Sequence, residues 1–78
     1  MYAQAPMTAE QSFFAVFCLE ALADELHTTG DAVYVLLTEK SDIFDGYILP
    51  SYDALHTQGK AYIVRDLIEL MQKRGVAP

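Results

Sequence analysis

Seventy-eight residues allow one small domain with one core, since a chain this short buries only about 60% of its unfolded surface. The chain is 53% hydrophobic and 12% aromatic, too apolar for disorder, and its net charge of −6 opposes the phosphate backbone of nucleic acid. One cysteine, Cys18, excludes an internal disulfide, no clustered ligands suit zinc, and Glu20, Asp24 and Glu25 interrupt the longest apolar run before it could cross a membrane. The N-terminus has neither the positive region nor the apolar region of a secretory signal, so the expected setting is cytoplasmic. A marginal domain without disulfide or metal gains most readily from association.

In chain order, residues 1–7 read as a loose tail and residues 8–76 as a single helical domain. Thr8 and Gln11 have capping-box spacing, which predicts a first helix from Ala9 to Leu26. At about 100° per residue, Phe14, Cys18, Ala21 and Leu22 share one side, with Ala15, Leu19 and Leu26 beside them. The other side mixes Phe13, Val16 and Phe17 with Glu20, Asp24 and His27. A helix apolar nearly all round needs either its own domain or a partner to cover it. Gly30 is expected to supply the unusual backbone angles that end this helix.

Thr28 and Asp31 repeat the capping spacing and predict a second helix to about Lys40, with Val33, Tyr34, Leu36 and Leu37 as its stripe. A strand is the rival reading of AVYVLL, but no hairpin partner follows. The stretch from Ser41 to Gly59 is the least regular: Asp45-Gly46 signals a turn, and Pro50 suits the first turn of a short helix. The last helix, Lys60 to Arg74, turns Ile63, Val64, Leu67, Ile68, Leu70 and Met71 to one side. Arg65 and Lys73 each stand four residues from Glu69, and Gly75 is placed to end the helix. The predicted core includes Cys18, Leu22, Leu36, Ile63 and Leu67.

Candidate chemistry is sparse. Cys18 lies mid-helix, away from the cations or helix N-terminus that would activate a thiol. His27 suits a helix C-terminus. In LHTQGK, His56 is expected to hydrogen-bond the backbone while Thr57 and Gln58 cap the last helix. No nucleophile–base pair, phosphate loop, metal set or cofactor motif stands out, which points away from an enzyme.

The segments FFAVFCLEALADEL and VYVLLTEKSDIFDGYILPSYDALHTQGKAYIVRDL resemble a family of small bacterial proteins grouped as domain of unknown function 3791. The most distinctive parts are Thr38 to Asp42 and Leu55 to Lys60, and the resemblance spans Phe13 to Met71. It brings no catalytic motif. It implies a genomic setting beside ADP-ribosyltransferase-like proteins, in an arrangement similar to toxin–antitoxin pairs, with this chain as the neutralising member.

The sequence thus predicts an all-α fold, a compact bundle of three main helices plus one short helix, with the first helix central. Its expected function is a non-catalytic protein-binding module, which the family resemblance narrows to an antitoxin-like inhibitor of an ADP-ribosyltransferase-like enzyme. A homodimeric interaction protein and an indirect transcriptional regulator are the alternatives. The candidate partner-binding residues are Phe13, Phe17, Glu20, Asp24, Tyr47, Tyr52, His56 and Gln58. No direct contact with nucleic acid or membrane is expected, and no catalytic, cofactor or metal residue is assigned.

Overall fold

The computed structural model describes residues 8–76, which contain helices and no strand. Helix α1 spans Ala9–Leu26, α2 Gly30–Thr38, α3 Tyr52–Leu55 and α4 Lys60–Lys73, with a π-helical turn at Phe44–Ile48 between α2 and α3. α1 is the centre, and both α2 and α4 pack on it. The tail expected over residues 1–7 lies outside the described residues.

α1 begins as its sequence dictates. The Thr8 hydroxyl accepts from the Gln11 amide at 3.1 Å, while the Gln11 side chain accepts from the Thr8 amide at 3.1 Å. Its end differs from expectation. His27, not Gly30, takes the left-handed backbone (φ 56°, ψ 48°), and the Thr28 amide turns back to the Ala23 carbonyl at 2.9 Å. Thr28 is thereby used in closing α1. The next residue, Thr29, is extended and caps α2 instead, accepting from the Ala32 amide at 3.1 Å. Gly30 is simply the first residue of α2.

AVYVLL is helical, so the strand reading is excluded. α2 stops at Thr38, short of Lys40, as side chains take over its last carbonyls. Thr38 donates to the Tyr34 carbonyl at 2.7 Å, and Ser41 donates to that of Leu36 at 2.9 Å. Val33 and Leu37, one turn apart, are fully buried. Leu36, expected in the core, is only half-buried because it stands to one side of that pair. Tyr34 is about half exposed and meets Phe44 edge-on, with ring centroids 5.5 Å apart.

The middle stretch is more regular than its composition suggests. Asp45-Gly46 lies within the π-helical turn rather than a tight turn, and the Leu49 amide reaches the Phe44 carbonyl at 3.1 Å. A Cβ on Gly46 would stand 3.2 Å from the Asp42 carboxylate, so glycine lets the wide turn close against Asp42. Ile43, Phe44 and Ile48 all point into the core as a result. Pro50 precedes α3 instead of opening it: it sits in the turn closed by the bond from the Ser51 amide to the Tyr47 carbonyl, 2.9 Å. α3 is then a single turn that buries Leu55.

Gly59, extended at φ −74° and ψ 161°, precedes α4 and provides no side-chain cap. The capping expected from Thr57 and Gln58 does not form, because the Thr57 hydroxyl donates backwards to the Ala54 carbonyl at 3.3 Å. α4 buries Ile63, Val64, Leu67 and Met71. Gly75 ends it with φ 70°, which brings the Val76 amide to the Met71 carbonyl at 2.9 Å and seats Val76 in the core. Among the described residues the ion pair that forms is Arg74 with Asp42, not the expected spacing with Glu69; it is exposed, and such pairs contribute little.

Candidate functional site

The core is complete without the outer face of α1. Phe13 is 77% exposed, Val16 53% and Phe17 41%, in one turn of one helix. Glu20 and Asp24 continue that face toward the C-terminus, and both are exposed. α1 carries four acids, Glu10, Glu20, Asp24 and Glu25, and no base.

The strip extends sideways through packed rings. Phe17 stacks on Phe14 with centroids 6.4 Å apart, Phe14 meets Tyr52 of α3 edge-on at 5.6 Å, and Tyr52 stacks flat on His56 at 4.3 Å. The His56 Nδ1 lies 2.7 Å from the Tyr52 carbonyl. A carbonyl only accepts, so Nδ1 carries the proton and Nε2 is the free ring nitrogen. Ring stacking and the hydrogen bond together fix His56 beside Tyr52, and the expected backbone bond of His56 is present.

A groove of about 760 Å³ opens between α1 and α4. Ala21, Val64 and Ile68 supply apolar surface, Asp24 and Glu25 form the α1 wall, and Lys60, Arg65 and Glu69 stand on the α4 wall. Arg65 is turned over the Tyr62 ring, 5.9 Å from its centroid.

The eight candidate residues therefore fall in different places. Phe13 and Phe17 lie on the exposed strip, and Phe14 links Phe17 to Tyr52 and His56. Asp24 belongs to the groove. Glu20 leans over the start of α2, its carboxylate 3.3 Å from where a Cβ on Gly30 would stand. That position favours a negative charge, because the first amides of α2 leave partial positive charge there. Tyr47 is held against α4: its hydroxyl donates to Asp66. That hydrogen bond, with burial, pushes the Tyr47 phenol up to about 12. Gln58 is exposed in the connection between α3 and α4. The groove was not anticipated. Its α4 wall follows positions 61, 64, 65, 68 and 72, a helical stripe beside the buried one, and Ile68, expected on the same side of α4 as Ile63 and Leu67, stands at its edge.

Cys18 is fully buried, and burial pushes its thiol up to about 12, so it supplies no thiolate near neutral pH. Among the described residues, no three His, Cys, Asp or Glu side chains converge as a metal group, and no helix is long and apolar enough to cross a membrane.

Comparison with known proteins settles the family. The model of a protein family of unknown function, DUF3791, matches residues 13–74, nearly the whole of the described domain. The chain belongs to the DUF3791 family. No curated protein and no solved structure matches it. The matched region of this DUF3791 protein takes in α1 from Phe13 onward, all of α2, the π-helical turn and α3, and α4 to its end. It thus includes both the aromatic strip and the groove.

Proposed function

We propose that this DUF3791 protein is a non-catalytic protein-binding module whose binding surface is the outer face of α1. The observation that carries this reading is the exposure of Phe13, Val16 and Phe17 together on one helix face of a domain that has already closed its core. Three large apolar groups in one turn form a patch of the kind that marks interaction sites. Aromatic side chains are also the residues that most often dominate binding energy. In its specific form, the partner is an ADP-ribosyltransferase-like enzyme that the domain inhibits, an expectation supported by the family resemblance rather than by the geometry.

The test pairs the domain with an ADP-ribosyltransferase-like enzyme encoded beside it. The two proteins are co-expressed, co-purified and assayed for ADP-ribosyl transfer. The proposal predicts a stable complex, transfer suppressed at equimolar domain, and loss of both with Phe17→Ala. Unchanged transfer in the presence of excess folded domain refutes the inhibitor reading. A complex that forms equally well with the Phe13→Ala/Phe17→Ala double variant refutes the assignment to α1.

A further inference from the structure

The charges around the aromatic strip decide what kind of partner α1 can take. α1 has four acids and no base. The five bases lie elsewhere: Lys40 follows α2, and Lys60, Arg65, Lys73 and Arg74 lie on or directly after α4. A two-fold dimer through α1 sets the same patch against itself. The acids of both α1 helices are then brought together, and the bases of the trough, Lys60 and Arg65, stand on the α4 wall rather than on α1. Facing like charges is the arrangement that suppresses a partner, whereas a cationic surface meets complementary charge.

Shape narrows the occupant further. Phe13 and Phe17 are one turn apart on α1, and Ala21 lies one turn beyond Phe17. The strip therefore leads directly into the α1–α4 groove, where Ala21 and Ala61 are small enough to let a neighbouring backbone approach. From Phe13 to Glu25 the helix rises about 18 Å, the length of a little over three helical turns. Lys60 and Arg65 stand on the α4 wall and Asp24 and Glu25 on the α1 wall, so cations of an occupant belong on the α1 side.

We infer that strip and groove form one trough that takes a basic amphipathic helix from a different protein. Its apolar stripe lies on Phe13, Phe17 and the Ala21–Val64–Ile68 floor, and its Lys or Arg side chains face Asp24 and Glu25. This deepens the protein-binding reading and rests on it, and it sets a foreign helix against a second copy as the occupant of this face.

The test uses the full chain and two synthetic helical peptides of about four turns, with the same leucine stripe and either lysines or glutamates flanking it. Binding is followed by amide chemical shifts and calorimetry at roughly 50 mM and 500 mM salt. The lysine peptide is expected to shift α1 and α4 resonances and to bind at least ten-fold more tightly than its glutamate twin. Its affinity should fall at least five-fold at high salt and at least five-fold with Asp24→Lys. Phe13→Ala should weaken it at least three-fold while lowering the thermal midpoint by only a few degrees, so that the protein stays fully folded at the assay temperature. Equal binding of the two peptides, or lysine-peptide binding untouched by both variants, overturns the inference. A dimer in sedimentation that Phe13→Ala abolishes overturns it in favour of a second copy and leaves the protein-binding reading standing. Absence of peptide binding in a monomeric protein also overturns it, and the co-purification with the neighbouring enzyme then judges the broader reading separately.

Discussion

A graded truncation series along α1 separates the groups that hold the fold from those free to bind. Leu22 is 0% exposed, Phe17 41% and Phe13 77%, all on the same helix. Leu22→Ala leaves a void between α1 and its neighbours, and such changes cost about 2–5 kcal/mol. A phenylalanine offers roughly 200 Å² for burial. Phe17 hides over half of it, and at about 25 cal/mol per Å², reduced for a compact denatured chain, its truncation costs about 2–2.5 kcal/mol. Phe13 hides less than a quarter, and the same reasoning gives about 0.7–1 kcal/mol. Equilibrium urea unfolding at a protein concentration where the chain is monomeric measures all three, with equal slopes required for comparison. The order Leu22, Phe17, Phe13 is the expected result. A loss above about 1.5 kcal/mol for Phe13→Ala means that the strip belongs to the core. A loss below about 0.5 kcal/mol for Leu22→Ala means that α1 is not the centre of the fold.

Other residues give sharper local tests. His27→Gly removes a side chain from a left-handed backbone position and should raise stability by about 0.5–1 kcal/mol, seen as a thermal midpoint higher by several degrees. Tyr47, raised from an ordinary 10.0 to about 12, should appear as a late phase in an ultraviolet phenolate titration, absent in Tyr47→Phe. Because the folded value lies above the unfolded one, the stabilisation from Tyr47 is complete below pH 10.0 and is lost as pH rises through about 12. Cys18 should resist an aromatic disulfide reagent in the native protein and react fully in denaturant; fast native labelling at neutral pH contradicts its burial.

The parts of the fold that depend on neighbours in sequence were legible. Thr8 and Gln11 announce the start of α1, Gly75 announces the end of α4, and the apolar spacing marks both helices. Choices between nearly equivalent local options were not legible. Thr28 and Thr29 are chemically identical caps, and the selection of Thr29 follows from His27 turning the chain first. The π-helical turn required Gly46 to close against Asp42, which a turn-favouring Asp-Gly pair does not disclose. Val76 carried a signal that went unused, since an apolar residue directly after a helix-ending glycine commonly folds back on the last turn. Among candidate site residues, Phe13 and Phe17 were readable because α1 has more apolar surface than one core can use. Their link to Tyr52 and His56, and the capture of Tyr47 by Asp66, join residues far apart in sequence. Those pairings exist only once α3 and α4 have docked.

Charge and fold are largely independent in this domain. The ion pair between Arg74 and Asp42 is exposed on both sides, and no polar or charged residue is among the buried ones described. Glu20 helps locally by lying at the start of α2, and Asp66 by holding Tyr47. Glu10 lies exposed one turn before Phe13, and Asp24 and Glu25 lie exposed on the groove wall beyond Phe17. Hydrophobic burial closes the core without them, so replacing Asp24 probes the surface with little disturbance inside. The field of these acids reaches about 10 Å at ordinary ionic strength, well beyond van der Waals contact. An approaching partner therefore senses the acids before it touches Phe13 or Phe17, and the aromatic rings then determine how long it stays. On that ordering, substitutions at Asp24 should act mainly on association rate and salt dependence, and substitutions at Phe17 mainly on dissociation.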